Sequence, residues 1–300
     1  MYNGVINIYK EKGFTSHDVV AKMRGILKQK KIGHTGTLDP DAVGVLPVCL
    51  GSATKLCALL TDRDKEYRAV MRLGVETDTQ DMSGTVLARR KVDAGPAEIE
   101  EAVRSFLGEY AQVPPMYSAL KVNGKRLYEL ARQGREVERA PRNVVIHEIE
   151  ILDMQIPDIT LRVSCSKGTY IRTLCHDIGK MLGCGGAMAS LQRTKSGRFL
   201  LDSAITLSDL ERLRDEEKIA DVLIPVDEMF EELSAVHVPA PFIKPVQNGN
   251  CFPLSHIMER CLFGDGEEVK VYNREGRFFG IYRFEKAGGR FCPVKMFLES

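Results

Sequence analysis

The feature that most constrains this chain is residues 33–56, GHTGTLDPDAVGVLPVCLGSATKL. A polar turn of His34, Thr35, Gly36 and Thr37 delivers a single carboxylate, Asp39. Pro40 stiffens the backbone just after it, and a hydrophobic run over 45–50 anchors the segment from behind. The pattern predicts an acid held out on a short rigid arm. An ordinary turn before a buried strand accounts for this stretch equally well, since Asp, Gly and Pro are the commonest turn residues, so the remainder of the chain has to decide.

Charge is unevenly distributed. The net charge is only +1, yet over 10–31 seven Lys or Arg stand against two acids, and over 112–142 seven stand against three. Over 209–232 the balance reverses, with ten acids against three bases. A basic face and an acidic face on one molecule suit a polyanionic partner. The 300 residues are 44% hydrophobic and 28% charged, enough for one large and one small globular domain. The start MYNGVINIYKEKG has no basic segment leading into a long apolar run, and no apolar stretch approaches a membrane span, which predicts a cytoplasmic protein. The eight Cys form no CxxC pair and sit mostly among Val, Leu and Ile, which predicts small buried hydrophobes rather than a disulfide framework or a zinc site.

Along the chain, 5–9 reads as a strand, and Ser16 as the cap of a helix whose apolar residues Val19, Val20, Met23, Ile26 and Leu27 recur at helical spacing while its other face is mostly basic. A short helix is expected from Ser52. Residues 64–74 alternate, with Tyr67, Ala69, Met71 and Leu73 on one face, as a strand does. TDTQDMSG over 77–84 is turn-like, 85–88 resumes a strand, and 96–107 reads as a helix. Pro114-Pro115 break the chain. After them a strand over 117–122, a tight turn at Asn123-Gly124 and a basic segment over 125–135 suggest an arm. Strands over 144–152 and 159–165 precede a helix over 169–182, and acidic helices follow over 208–218 and 227–233. From about Pro239 the texture becomes short strands, which predicts a small antiparallel β-barrel. The fold class is α+β, with a mixed, mainly antiparallel sheet in residues 1–236, a basic arm at about 112–142, and a β module over 237–300.

Several separated stretches together resemble the TruB family of tRNA pseudouridine synthases. They are the opening stretch; Lys65-Glu66-Tyr67 with LGVETDTQDMSG; QVPPMYSALK at 112–121 with Arg132-Gln133-Gly134; CSKGTYIRTL at 165–174; and LQRTKSGRF at 191–199. The family's first motif has Pro after its Lys, whereas here Lys10 is followed by Glu11. The resemblance implies a pseudouridine synthase fold with a PUA-like C-terminal domain. It also implies an isomerisation in which uridine, at position 55 of the tRNA T-loop, is detached at N1, turned, and rejoined to its ribose through C5. Such a reaction asks for no metal and no redox cofactor. By resemblance Asp39 is the nucleophile, adding to C1′ of the ribose or to C6 of the base. Tyr67 stacks on the uracil and lies within reach for proton transfer, and Arg172 pairs with Asp39 and keeps it ionised. His34 takes the place vacated by the flipped base, Tyr170 and Leu191 line the base, and Lys10 belongs to the substrate-binding set. On a helix Tyr170 and Arg172 diverge, so both reach one site only near the helix start. Phosphate contacts are expected from the basic helix and from Lys121, Lys125, Arg126, Arg132 and Arg135. The implied partner is the T-arm of tRNA, bound by a monomer that needs no protein partner and no membrane.

Two other readings bear weighing. Asp39-Pro40-Asp41-Ala42-Val43 superficially matches the DxDx[TV] signature of aspartyl-phosphate phosphotransferases, but that Asp follows a buried strand, and here it follows polar GHTGT. A tRNA-binding or tRNA-folding protein without catalysis would use the same basic face, but it would not need Asp39, Tyr67 and Arg172 together.

Overall fold

The computed structural model describes residues 1–122 and 124–298; the expected turn residue Asn123 lies outside the described residues. The chain opens with β1 (Gly4–Lys10) and α1 (Ser16–Leu27). The cap of α1 is Thr15, not Ser16. The Thr15 hydroxyl accepts from the Asp18 amide, and the Asp18 carboxylate accepts from the Thr15 amide, a closed capping box. Ser16 is buried, and its Oγ accepts from the amide of Leu38 at 2.9 Å.

Next come β2 (Ile32–His34), β3 (Val43–Leu50), a 3₁₀ turn (Gly51–Leu56) running into α2 (Cys57–Thr61), and β4 (Lys65–Leu73). The alternation of β4 is as expected: Tyr67, Ala69, Met71 and Leu73 are buried. The hairpin β5 (Val75–Thr77) and β6 (Val86–Arg89) frames the TDTQDMSG loop, and α3 (Pro96–Arg104) leads to β7 (Gly108–Gln112). The arm is a small hairpin, β8 (Lys121–Val122) and β9 (Lys125–Arg126), followed by α4 (Leu127–Ala131). The strand expected over 117–122 shrinks to its last two residues because Met116 turns inward to pack on Leu127 and Leu130, the arm's own satellite core. A long hairpin of β10 (Arg142–Gln155) and β11 (Asp158–Cys165), then α5 (Ile171–Met181), β12 (Gly186–Ser196), β13 (Phe199–Leu200) and α6 (Leu207–Asp215) complete this part.

The main sheet runs β1-β3-β12-β4-β11-β10-β7, with β2 on β3 and β13 on β12. It is antiparallel throughout except where β12 meets β3, a short parallel contact of Gln192 with Val43 and Arg193 with Gly44. One side of the sheet packs α5 and α3 on β4 and β11, and α1 and α6 cover β1 and β3.

The C-terminal strands β14 (Ser234–Val238), β15 (Phe252–Pro253), β16 (Glu268–Asn273), β17 (Phe278–Glu285) and β18 (Arg290–Met296), with the short helix α7 (Ile243–Gln247) between β14 and β15, form a separate five-stranded sheet ordered β14-β16-β17-β18-β15. The hydrogen-bonded path is open, and β14 pairs parallel with β16, where the sequence predicted an antiparallel barrel. The reason is topological: α7 and β15 intervene between β14 and β16, so the chain returns by a crossover rather than a hairpin. A second correction concerns the cysteines. Cys251 and Cys292 form a disulfide, with Cα atoms 4.2 Å apart. The β15–β18 register sets Phe252 opposite Phe291, which places the two Cys directly across from each other, although 41 residues separate them in sequence. Among the described residues no helix is long and apolar enough to cross a membrane.

Candidate active site

Asp39 sits where three pinned segments meet. Upstream, the Thr35 amide donates to the carbonyl of Pro47, and Leu38 is tied to Ser16. Downstream, the Ala42 amide closes a turn on the Asp39 carbonyl, and the Pro40 carbonyl accepts from the Gly13 amide and from Lys10 Nζ at 3.0 Å. Lys10 is fully buried, and its ammonium also donates to the carbonyls of Phe14 and Glu11, so its donors go to the backbone beside Asp39. Burial pushes Lys10 down to about 8, and Asp39 and Asp41 act in the opposite sense. Loops held at this many points present one geometry, so the Asp39 carboxylate is fixed in place.

Arg172, the second residue of α5, is 5% exposed and grips Asp39 through both ends of its fork: Nε to Oδ2 at 2.9 Å and Nη2 to Oδ1 at 3.3 Å. The same guanidinium donates to the Thr79 carbonyl at 3.0 Å and the Tyr117 carbonyl at 2.8 Å, and lies 3.8 Å from the Asp81 carboxylate. One side chain thus joins the Asp39 loop, the 77–84 loop and the root of the arm. The Asp39 carboxyl is pushed up from its ordinary value, first by burial and also by Asp81, while Arg172 pulls it down. The expectation that Arg172 keeps Asp39 ionised therefore becomes a contest in which the guanidinium opposes burial.

Tyr67 and Leu191 meet across the β4–β12 ladder, where Ala69 faces Leu191 and Tyr67 faces Arg193. Leu191, Tyr67, Leu38 and Ala42 share one apolar cluster, which puts a wall beside the Asp39 turn. Burial pushes the Tyr67 phenol up, and Arg193 pulls it down. Tyr170 caps α5, and its peptide is clamped by Gln112: the Tyr170 amide donates to Oε1 at 2.8 Å, and Nε2 donates to the Tyr170 carbonyl at 3.0 Å. The structure thus sets Tyr170 and Arg172 at the very start of the helix. His34 ends β2 and is half-buried; burial pushes its imidazole down, and Arg193 and His17 add to that.

Lys121, Lys125, Arg126, Arg132 and Arg135 are all exposed on the arm. Arg126 and Arg132 flank the Tyr128 ring at 5.8 and 5.4 Å, so the arm presents cations interleaved with an aromatic. Sequence reasoning missed Gln112, Ser16, Asp81 and Arg193. Arg193 alone carried a usable signal, since it lies two residues after Leu191 on a strand and so shares that residue's face.

Two family models match the chain: the N-terminal domain of the TruB family pseudouridylate synthases over residues 24–171, and the C-terminal domain of tRNA pseudouridylate synthase B over 172–231. The chain is 50% identical over 293 residues to tRNA pseudouridine synthase B of Alkaliphilus oremlandii, covering 97% of each protein. It is 51% identical to the protein of the same name from Lachnoclostridium phytofermentans, covering 99% and 100%. Among solved structures, a Cbf5-Nop10-Gar1 complex contains a chain that superposes with TM-score 0.72 at 29% identity, covering 99% of this chain and 85% of that one. An H/ACA RNP bound to a substrate RNA containing 2′-deoxyuridine gives 0.70 at 27%, covering 98% and 85%. With a pinned carboxylate in the fork of a buried arginine and full-length likeness to these enzymes, the chain belongs to the TruB family of pseudouridylate synthases.

Proposed function

We propose that this protein isomerises uridine to pseudouridine in tRNA, at the T-loop uridine that the sequence resemblance implies, with Asp39 as nucleophile. The observation that carries the reading is the two-pronged Asp39–Arg172 contact at 2.9 and 3.3 Å in a chain 50% identical to a tRNA pseudouridine synthase B. Asp39 adds to C1′ or to C6. In either case the N1–C1′ bond breaks, the C5–C1′ bond forms, the bond to Asp39 breaks again and returns the free carboxylate, N1 gains a proton and C5 loses one. Tyr67 serves both transfers with one oxygen, giving its proton towards N1 and taking the proton from C5.

Leu191 and Tyr170 hold the extruded base and His34 fills its place in the stack, while Lys10 fixes the Asp39 turn through the Pro40 carbonyl. The basic helix and the arm bind the T-arm backbone, and residues 237–300 act as a PUA-like extension of that grip on a catalytic unit formed by 1–236. The protein works as a cytoplasmic monomer.

The test is incubation with unmodified tRNA transcript and mapping of pseudouridine by position, for the parent and Asp39→Asn. The parent should modify the T-loop uridine; Asp39→Asn should bind the transcript within about twofold of the parent and form none. Modification by Asp39→Asn would refute the nucleophile. Binding by the parent with no pseudouridine anywhere would favour the tRNA-binding or tRNA-folding alternative.

A further inference from the structure

Arg193 is among the largest fully buried side chains of the protein, at 1% exposure in the middle of the main sheet. Its Nε donates to the Val45 carbonyl at 2.7 Å and its Nη2 to the Gly36 carbonyl at 3.4 Å, both neutral acceptors on either side of the Asp39 turn. Its remaining partner is the hydroxyl of Tyr67, its cross-strand neighbour. Among the described residues, no carboxylate pairs with it. The groups that feel its charge are Lys10, Lys65 and His34, each pushed away from its protonated form, while the Asp39 carboxylate is near enough to act on Lys10 and Tyr67.

A buried cation without a counter-ion costs several kcal/mol, and a guanidinium does not shed its proton to escape that cost. Val45 and Gly36 could be served by a neutral amide. What the charge itself matches is an anion that exists only during the reaction, and the Tyr67 oxygen is the one partner able to become one. Preorganised positive charge aimed at developing negative charge in a dry site is the strongest electrostatic device a protein has.

We propose that Arg193 is a positioning residue that holds the Tyr67 oxygen and stabilises it as phenolate in the interval between giving a proton to N1 and taking one from C5. This rests on the reading of Tyr67 above. The proton balance is closed: the phenolic proton goes to N1, the C5 proton restores the phenol, and no outside acid or base is consumed.

The experiment compares Arg193→Lys, which keeps a charge, with Arg193→Gln, which keeps donors for the two carbonyls but no charge. Single-turnover rates and dissociation constants would be measured on unmodified tRNA transcript, with Tyr67→Phe alongside. The Lys variant should fall within about tenfold of the parent, and the Gln variant should lose about 10²–10³-fold, with tRNA affinity in both within about twofold of the parent. Equal rates for Lys and Gln, or Gln faster than Lys, would overturn the proposal and leave Arg193 a structural tie. If Tyr67→Phe itself turns over like the parent, the proton-transfer role of Tyr67 falls instead. A slow Tyr67→Phe with Lys and Gln equivalent at 193 removes only the Arg193 assignment.

Discussion

Replacing Arg172 with Met tests the core of the site with little change in volume, since methionine's unbranched stem fills much of the same channel. The substitution removes both contacts to Asp39 and the donors to the Thr79 and Tyr117 carbonyls. Breaking a buried pair by deleting one partner costs about 3–5 kcal/mol. Asp39 keeps 39% of its side-chain exposure and can be rehydrated, so the expected loss of stability falls below that range, at about 2–3 kcal/mol. That loss should appear as a lower urea midpoint with an unchanged slope. The single-turnover rate should drop about 10²–10³-fold through loss of carboxylate orientation. The acid side of the rate profile adds a directional check. If Asp39 is the nucleophile proposed above, it attacks as the carboxylate, so activity is lost as pH falls through its pKa. Burial already pushes that value up and Arg172 opposes it, so in Arg172→Met the acid limb moves to higher pH. A rate within threefold of the parent, with the acid limb unmoved, would show that Arg172 does not govern Asp39.

Other expectations concern the arm and the sheet. Neutralising Lys125 and Arg126 together should weaken tRNA binding and flatten the dependence of log K on log salt by about 1.4–1.8, as loss of two phosphate contacts requires; an unchanged slope would mean that neither touches phosphate. Gly44→Ala should cost about 3–4 kcal/mol. Gly44 has φ +106°, and an added Cβ would sit 2.2 Å from the Arg193 carbonyl oxygen, so the parallel contact between β3 and β12 would be forced apart. Thermal unfolding near the parent's would refute that account.

The parts legible in the sequence were those governed by local rules. The alternation of β4 set Tyr67 on a buried face, and the polar turn around Asp39 advertised a displayed acid. Tyr170 and Arg172, which can share one site only at a helix start, stand at the start of α5, where one caps the helix and the other sits in its first turn. What stayed hidden depends on distant partners. Ser16 reads as a cap because Ser favours caps, but its hydroxyl is used by Leu38, and Thr15 takes the cap through Asp18. Arg193 shares a strand face with Leu191, but its burial and its ties to the Val45 and Gly36 carbonyls come from β3 and the Asp39 turn, far away in sequence. The Cys251–Cys292 bridge and the parallel β14–β16 pair arise from strand order, which no local spacing encodes.

The strand order of the main sheet carries a consequence for synthesis. β3 and β4 are near neighbours in sequence, yet β12 lies between them. β4 ends at Leu73 and β12 does not begin until Gly186, so at about 5–20 residues per second a ribosome leaves the β12-facing edge of β4 and the Val43–Gly44 end of β3 unfilled for roughly ten seconds. During that time their most accessible partners are each other. Direct β3–β4 pairing would close the slot that Leu191 and Arg193 must enter. The nascent chain therefore has to keep a gap open for a strand not yet made, and a ribosome stalled between those points holds a protein with its acid displayed and no site around it.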